Sequence, residues 1–232
     1  MGREKNGKVL AIVALCVAVF GLTVGFAAFS NTLTISSSAT VSPESTSFNV
    51  DFSTSDSSVA TAAVVPTTAN GATATNATID NSDVNPVIEN ISANFTQPGQ
   101  SVTYDFFAYN AGEYDAFLNS VIYGSVPSSS LTKVCSIDPA DVSAGKATAS
   151  EDSLAAACEA INVQVIVGEG TEGTEKRTFS ASETSVDDFM VAKKSAKKVS
   201  VVLTYAEDGA RADGNFKVDF GAIALSFGSV DE

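Results

Sequence analysis

From residue 33 onward, apolar and polar side chains alternate with a period of two in nearly every segment. Successive side chains of a strand point to opposite faces, so this pattern gives each segment one face to bury and one to leave in water. Val199, Val201, Leu203 and Tyr205 share such a face, as do Phe216, Val218 and Phe220, and Val102, Tyr104 and Phe106. A helical period would scatter these residues around the axis, so the chain is constrained to stacked antiparallel sheets.

Turn chemistry separates the strands. Asn70-Gly71, Gln97-Pro98-Gly99-Gln100, Asn110-Ala111-Gly112, Asp208-Gly209 and Asp213-Gly214 all supply residues that accept tight turns. Pro43 divides the strand of residues 33–41 from one in which Phe48, Val50 and Phe52 alternate. Residues 59–65 read as a short apolar strand ended by Pro66, and residues 67–85 carry only weak strand character. The spacing predicts one helix, over 150–160. Ser150 is placed to cap it, Glu151 and Asp152 suit its first turn, and Leu154, Cys158 and Ile161 recur at helical spacing. About ten strands and one short helical insertion predict an all-β fold. The expected architecture is an antiparallel β-sandwich, jelly-roll or immunoglobulin-like, filling residues 28–232 as a single domain.

The first 27 residues are set apart. Residues 9–29 are uncharged and follow Arg3, Lys5 and Lys8. As a helix at ~1.5 Å per residue they reach ~30 Å, enough to cross a bilayer with the N-terminus inside. The same run reads as a signal peptide whose small residues Gly25 and Ala27 direct cleavage between Ala27 and Ala28. Under either reading the rest of the chain is extracellular or on the cell surface, membrane-bound only if this helix stays uncut. Cleavage would leave residues 33–41 near a free end, with Leu33, Ile35, Ala39 and Val41 on one face. A terminal strand can complete its own sheet or a neighbour's, because the hydrogen-bond ladder is indifferent to which chain supplies it.

Charge and composition exclude several functions. Loss of Arg3, Lys5 and Lys8 against Glu4 takes the formal charge from −14 to −16. Such a surface repels nucleic acid and anionic lipid. The chain has no His and no Trp. The first absence removes the usual general base, His-dependent zinc sites and Ser-His-Asp chemistry; the second removes the best sugar-stacking side chain. Adjacent carboxylates, Asp187-Asp188 and Glu207-Asp208, do not converge. Gly168, Gly170 and Gly173 precede no helical pattern, so they make no phosphate cradle. The expectation is no enzyme and no cofactor, with loop calcium near residues 80–85 or 208–215 as the one cation reading. Lys193, Lys194, Lys197 and Lys198 read as a charged hairpin tip or an edge-strand guard. Of three cysteines, Cys16 lies in the N-terminal run, leaving Cys135 and Cys158 to pair as a disulfide or stay as buried thiols.

The junction Gly25-Phe26-Ala27-Ala28-Phe29-Ser30-Asn31 resembles the processing site of the TasA and camelysin family of bacterial biofilm-matrix proteins. That resemblance implies a cut between Ala27 and Ala28 by a dedicated signal peptidase. It also implies a jelly-roll or immunoglobulin-like sandwich that forms extracellular fibres, each subunit lending its N-terminal strand to the next. Residues 98–118, with Pro98-Gly99, Ser101, Val102, Tyr104, Phe106, Asn110, Gly112 and Asp115-Ala116, look like the immunoglobulin-like modules of bacterial surface proteins. The expected function is therefore structural: a surface or biofilm-matrix protein whose partners are itself or homologous matrix subunits. A membrane-anchored monomeric adhesion or binding module is the alternative. A minor pilin is third, because the acidic residue expected early in a type IV pilin helix is missing.

Overall fold

The computed structural model of the chain describes residues 48–83, 85–123, 133–170, 175–180 and 189–228. They form two antiparallel sheets stacked over one hydrophobic core, the sandwich that the alternation predicts. The first sheet holds β1 (Val50–Ser53), β2 (Thr67–Ala69), β6 (Ser101–Asn110), β9 (Ile161–Gly168), β10 (Lys176–Ser180) and β12 (Ser195–Tyr205). The second holds β3 (Thr73–Ala74), β4 (Thr78–Asp80), β5 (Val87–Phe95), β7 (Ala116–Tyr123), β8 (Val134–Ser136), β11 (Met190–Val191) and β13 (Phe216–Gly228).

The pairings nest. β9 pairs with β10, β7 with β11, β6 with β12 and β5 with β13, each pair enclosing the one before it in sequence. Neighbouring pairs are then joined through β12–β9 in the first sheet and β13–β7 in the second. The short strands lie outside this plan: β1 and β2 share the outer edge of β6, β3 and β4 that of β5, and β8 extends the far side of β13.

The faces read from the sequence are the buried ones. Val199, Val201, Leu203 and Tyr205 are buried from the first sheet, and Phe216, Val218 and Phe220 from the second. Aromatic rings meet between the sheets, where Tyr205 lies 5.6 Å from Phe216 and 6.0 Å from Phe95, and within the first sheet Phe52 lies 4.7 Å from Phe106. These edge-on contacts suit the ring quadrupoles. Tyr104 crosses from β6 to the second sheet, where its hydroxyl reaches the carbonyl oxygens of Ser92 at 2.6 Å and Thr75 at 2.9 Å. It meets β5 just past a register shift against β13, where Asn90 and Gly221 both take positive φ. The hydroxyl satisfies backbone acceptors that the broken ladder leaves over, and burial pushes its ionisation above the ordinary tyrosine range.

Two expectations are corrected. Two helices occur among the described residues where one was expected: α1 (Pro139–Ser143) and α2 (Glu151–Glu159). Asp138 caps α1, accepting from the Ala140 amide, and Asp138-Pro139 is the sequence signal for it. Residues 59–65 are not a strand; only Val64 forms a bridge, to Ala77. Lys193 and Lys194 occupy a turn, and Lys197 and Lys198 lie where β12 pairs with β6 but runs past the β9 ladder, which begins at Val199. Lys198 also pairs with Asp105 and Glu169, and Lys194 with Glu113.

Candidate functional site

A sheet edge offers unpaired peptide groups, so in a β protein the edges are places to look for binding. The outer edge of β1 is already taken. Asn81 donates from Nδ2 to the Phe52 carbonyl at 2.9 Å and accepts the Phe52 amide on Oδ1 at 2.9 Å, so one side-chain amide replaces a neighbouring strand. Immediately beyond, the Thr54 amide donates to Ala60 at 2.8 Å. Ser53 Oγ accepts from the Ala60 and Ser55 amides and donates to the Ser58 carbonyl.

The chain then runs through residues 59–65 with little backbone pairing. Val64 and Ala77 exchange two hydrogen bonds, 2.9 and 3.0 Å long. Among the described residues, the peptide groups of Thr61, Ala62, Ala63 and Val65 have no hydrogen-bond partner. Thr61, Ala62 and Ala63 are exposed, Val59 is 42% exposed and Val65 69%. This segment is uncharged, rich in Val and Ala, and ends at Pro66, which has no N–H to donate.

A second region ties the helices to the sheets. Cys135 of β8 and Cys158 of α2 form a disulfide, with Cα atoms 6.0 Å apart. Lys133 Nζ donates to the carbonyls of Glu159 and Ile161, satisfying the C-terminal end of α2. Ser150 stands at the N-cap as expected, yet its hydroxyl does not bond the helix's own amides. It donates to Asp213, which also accepts the Ser150 amide at 2.7 Å and the Ser153 hydroxyl. Asp141, after α1's cap, binds Lys146 at 2.6 Å and the Asn215 amide at 3.0 Å. Both helices are thus pinned to the turn between β12 and β13.

Hydrogen bonds from Ser153 and then Ser150 hold the Asp213 carboxyl at about 2, below the ordinary 3.8. A depressed value means that the folded state favours the charged form. The stabilisation is present above the ordinary carboxylate range and is lost as pH falls from about 4 through about 2. Melting followed across that window is expected to show a step that Asp213→Asn lacks; identical acid profiles for the two proteins would refute the assignment.

The remaining sequence candidates fall as follows. Ala27 and Ala28, the strand residues Leu33, Ile35, Ala39 and Val41, and the Asp187-Asp188 pair lie outside the described residues. Glu207 and Asp208 are exposed in a turn. In the oxygen-rich stretch, Asp80 accepts the Ser82 amide and Asn81 is engaged with Phe52. Among the described residues, no group of three His, Cys, Asp or Glu is placed to hold a metal, and no helix is long and apolar enough to cross a membrane. Asn81 and Asp213 read in the sequence only as turn and oxygen-rich-loop residues, not as the clamps they form. Their partners lie 29 and 63 positions away, so no local pattern marks them. Compared with known protein families, characterised proteins and solved structures, the chain matches none.

Proposed function

We propose that the chain is a non-enzymatic structural subunit of the bacterial cell surface or biofilm matrix, exported and trimmed between Ala27 and Ala28. Its sandwich is a jelly roll, and subunits join by donation of the strand at residues 33–41. The nested pairing supports jelly roll over an immunoglobulin-like order, since winding one long antiparallel ribbon into two sheets produces such nesting. The observation that carries strand donation is the Asn81 amide on Phe52. A strand emerging just upstream of β1 and folding back on it would need those same backbone groups, so the return is blocked at the second residue past Val50. An alternating strand without an intramolecular slot beside β1 is available to a neighbour. The junction's resemblance to TasA and camelysin processing sites points the same way.

Deleting residues 33–41 from the full chain is expected to abolish multimers while far-UV dichroism and melting of the folded unit stay close to native. Multimers of unchanged amount, counted by electron microscopy and sedimentation, would remove the mechanism. N-terminal sequencing of the native material tests the processing step: a start at Ala28 agrees with a released subunit. A start at Met1 would favour the membrane-anchored adhesion or binding module, which the length of residues 9–29 also permits.

A further inference from the structure

We infer that the Cys135–Cys158 disulfide is an exchange site for small thiols that carry a positive charge, which Glu151 and Glu159 select. This goes beyond the structural role proposed above and does not depend on strand donation.

The bond is within reach of solvent. Cys135 and Cys158 are each only half-buried, and both line an open cavity of about 300 Å³. Leu154, Ala155, Glu151 and Glu159 form its other walls. That volume stands at the small end of ligand sites, so it suits a thiol of few heavy atoms. Leu154 and Ala155 offer apolar surface to a short methylene chain, and the two carboxylates offer charge to an ammonium group at its end. None of the lining residues is basic, so an anionic thiol meets repulsion with nothing to offset it.

The two sulfurs are not equivalent. Cys158 stands in the last turn of α2, where the negative end of the helix and the adjacent Glu159 oppose a thiolate. Cys135 follows Lys133 by two residues, so a cation stands near it in the chain and it is the better leaving group. The incoming thiolate attacks Cys158 Sγ and forms a new S–S bond there. The Cys135–Cys158 bond breaks, its electron pair goes to Cys135, and the resulting thiolate takes up the proton that the incoming thiol released to water. One disulfide replaces another, so no separate oxidant enters. The fold permits this without unfolding, because Asp213 still holds Ser150 and Lys133 still bonds the carbonyls of Glu159 and Ile161. With the helix in place the two cysteines stay close, and Cys135 can attack the mixed disulfide and restore the bond once free thiol is withdrawn.

The test exposes the oxidised full chain to cysteamine, 2-mercaptoethanol and glutathione at equal thiolate concentration, each rate being referred to that reagent's rate on a small neutral disulfide. Alkylation quenches the exchange, and peptide masses locate the adduct. Cysteamine is expected to react fastest and glutathione slowest, about tenfold apart at low ionic strength. Added salt should compress that ratio towards one, and Glu151→Gln with Glu159→Gln should do the same without salt. The early adduct is expected on Cys158, with Cys135 alkylated and far-UV dichroism unchanged. The salt series uses the unaltered chain, so it decides the matter even if the double Gln variant folds poorly. A bond that resists all three thiols until denaturant is added would show a purely structural staple and overturn the site. Equal normalised rates for the three thiols at low salt, or a first adduct on Cys135, would overturn the inference as well.

Discussion

Phe216→Ala is expected to lower the free energy of unfolding by about 4 kcal/mol, the largest effect of any single substitution considered. Phe216 is fully buried where β13 begins, and its ring packs 5.6 Å from Tyr205 and 6.2 Å from Phe95. Removing it opens a cavity at the junction of both sheets, and the lost transfer energy adds to the lost packing. The damage extends to the turn that follows β12. The Tyr205 hydroxyl donates to the Ala210 carbonyl at 2.6 Å and accepts the Ala212 amide at 3.0 Å, so a displaced ring gives up both. Denaturant unfolding should show a lower midpoint with an unchanged slope. A loss below ~1 kcal/mol would mean that the aromatic cluster collapses around the gap and is not the keystone of the core.

That cluster was legible before any fold was known, because Tyr205 and Phe216 end and begin two clean alternations. The central strands β6, β12 and β13 and the sandwich class follow from the same period-two pattern, which reports burial directly. The edges did not follow. Residues 59–65 have the composition of a strand, yet composition carries no information about whether a partner edge lies alongside. β8 and β11, at three and two residues, are too short to leave a period. Lys197 and Lys198 were legible as charge on a stretch with one open side, since β12 there pairs with β6 alone, but the pairing of Lys198 with Asp105 and Glu169 was not. The cysteine pair was legible as a pairing by count, and α2 by its first-turn acids. The clamp on α2 was not, since Asp213 reaches Ser150 across 63 positions. Nor was Asn81 legible, an ordinary turn residue by sequence and a strand surrogate in space, where its amide takes both backbone groups of Phe52.

Replacing both Cys135 and Cys158 by Ser is expected to cost about 3 kcal/mol of stability, through the greater freedom of the unfolded chain once the closed loop is opened. The bond spans 23 residues, and its loop holds α1 and all of α2 up to Cys158. Loss of the bond alone should leave α2 in place at neutral pH, because Asp213 still holds its first turn and Lys133 its last carbonyls. A nine-residue helix has too few hydrogen bonds to persist by itself, so its remaining support is tertiary. Adding Asp213→Asn to the double serine variant removes the charged half of that support. The expected result is fraying of α2, read as fast amide exchange over residues 151–159 with β12 and β13 still protected, and a combined effect that departs from the sum of the separate changes. Before the substitutions, reduction and alkylation of native material should add the mass of two labels only after reductant; two thiols already free without it would remove the basis for the predicted loss. If the bond is present and the double serine variant melts where the native protein does, the loop is already constrained in the unfolded chain, and the stabilisation assigned to the disulfide belongs to the Asp213 and Lys133 contacts instead.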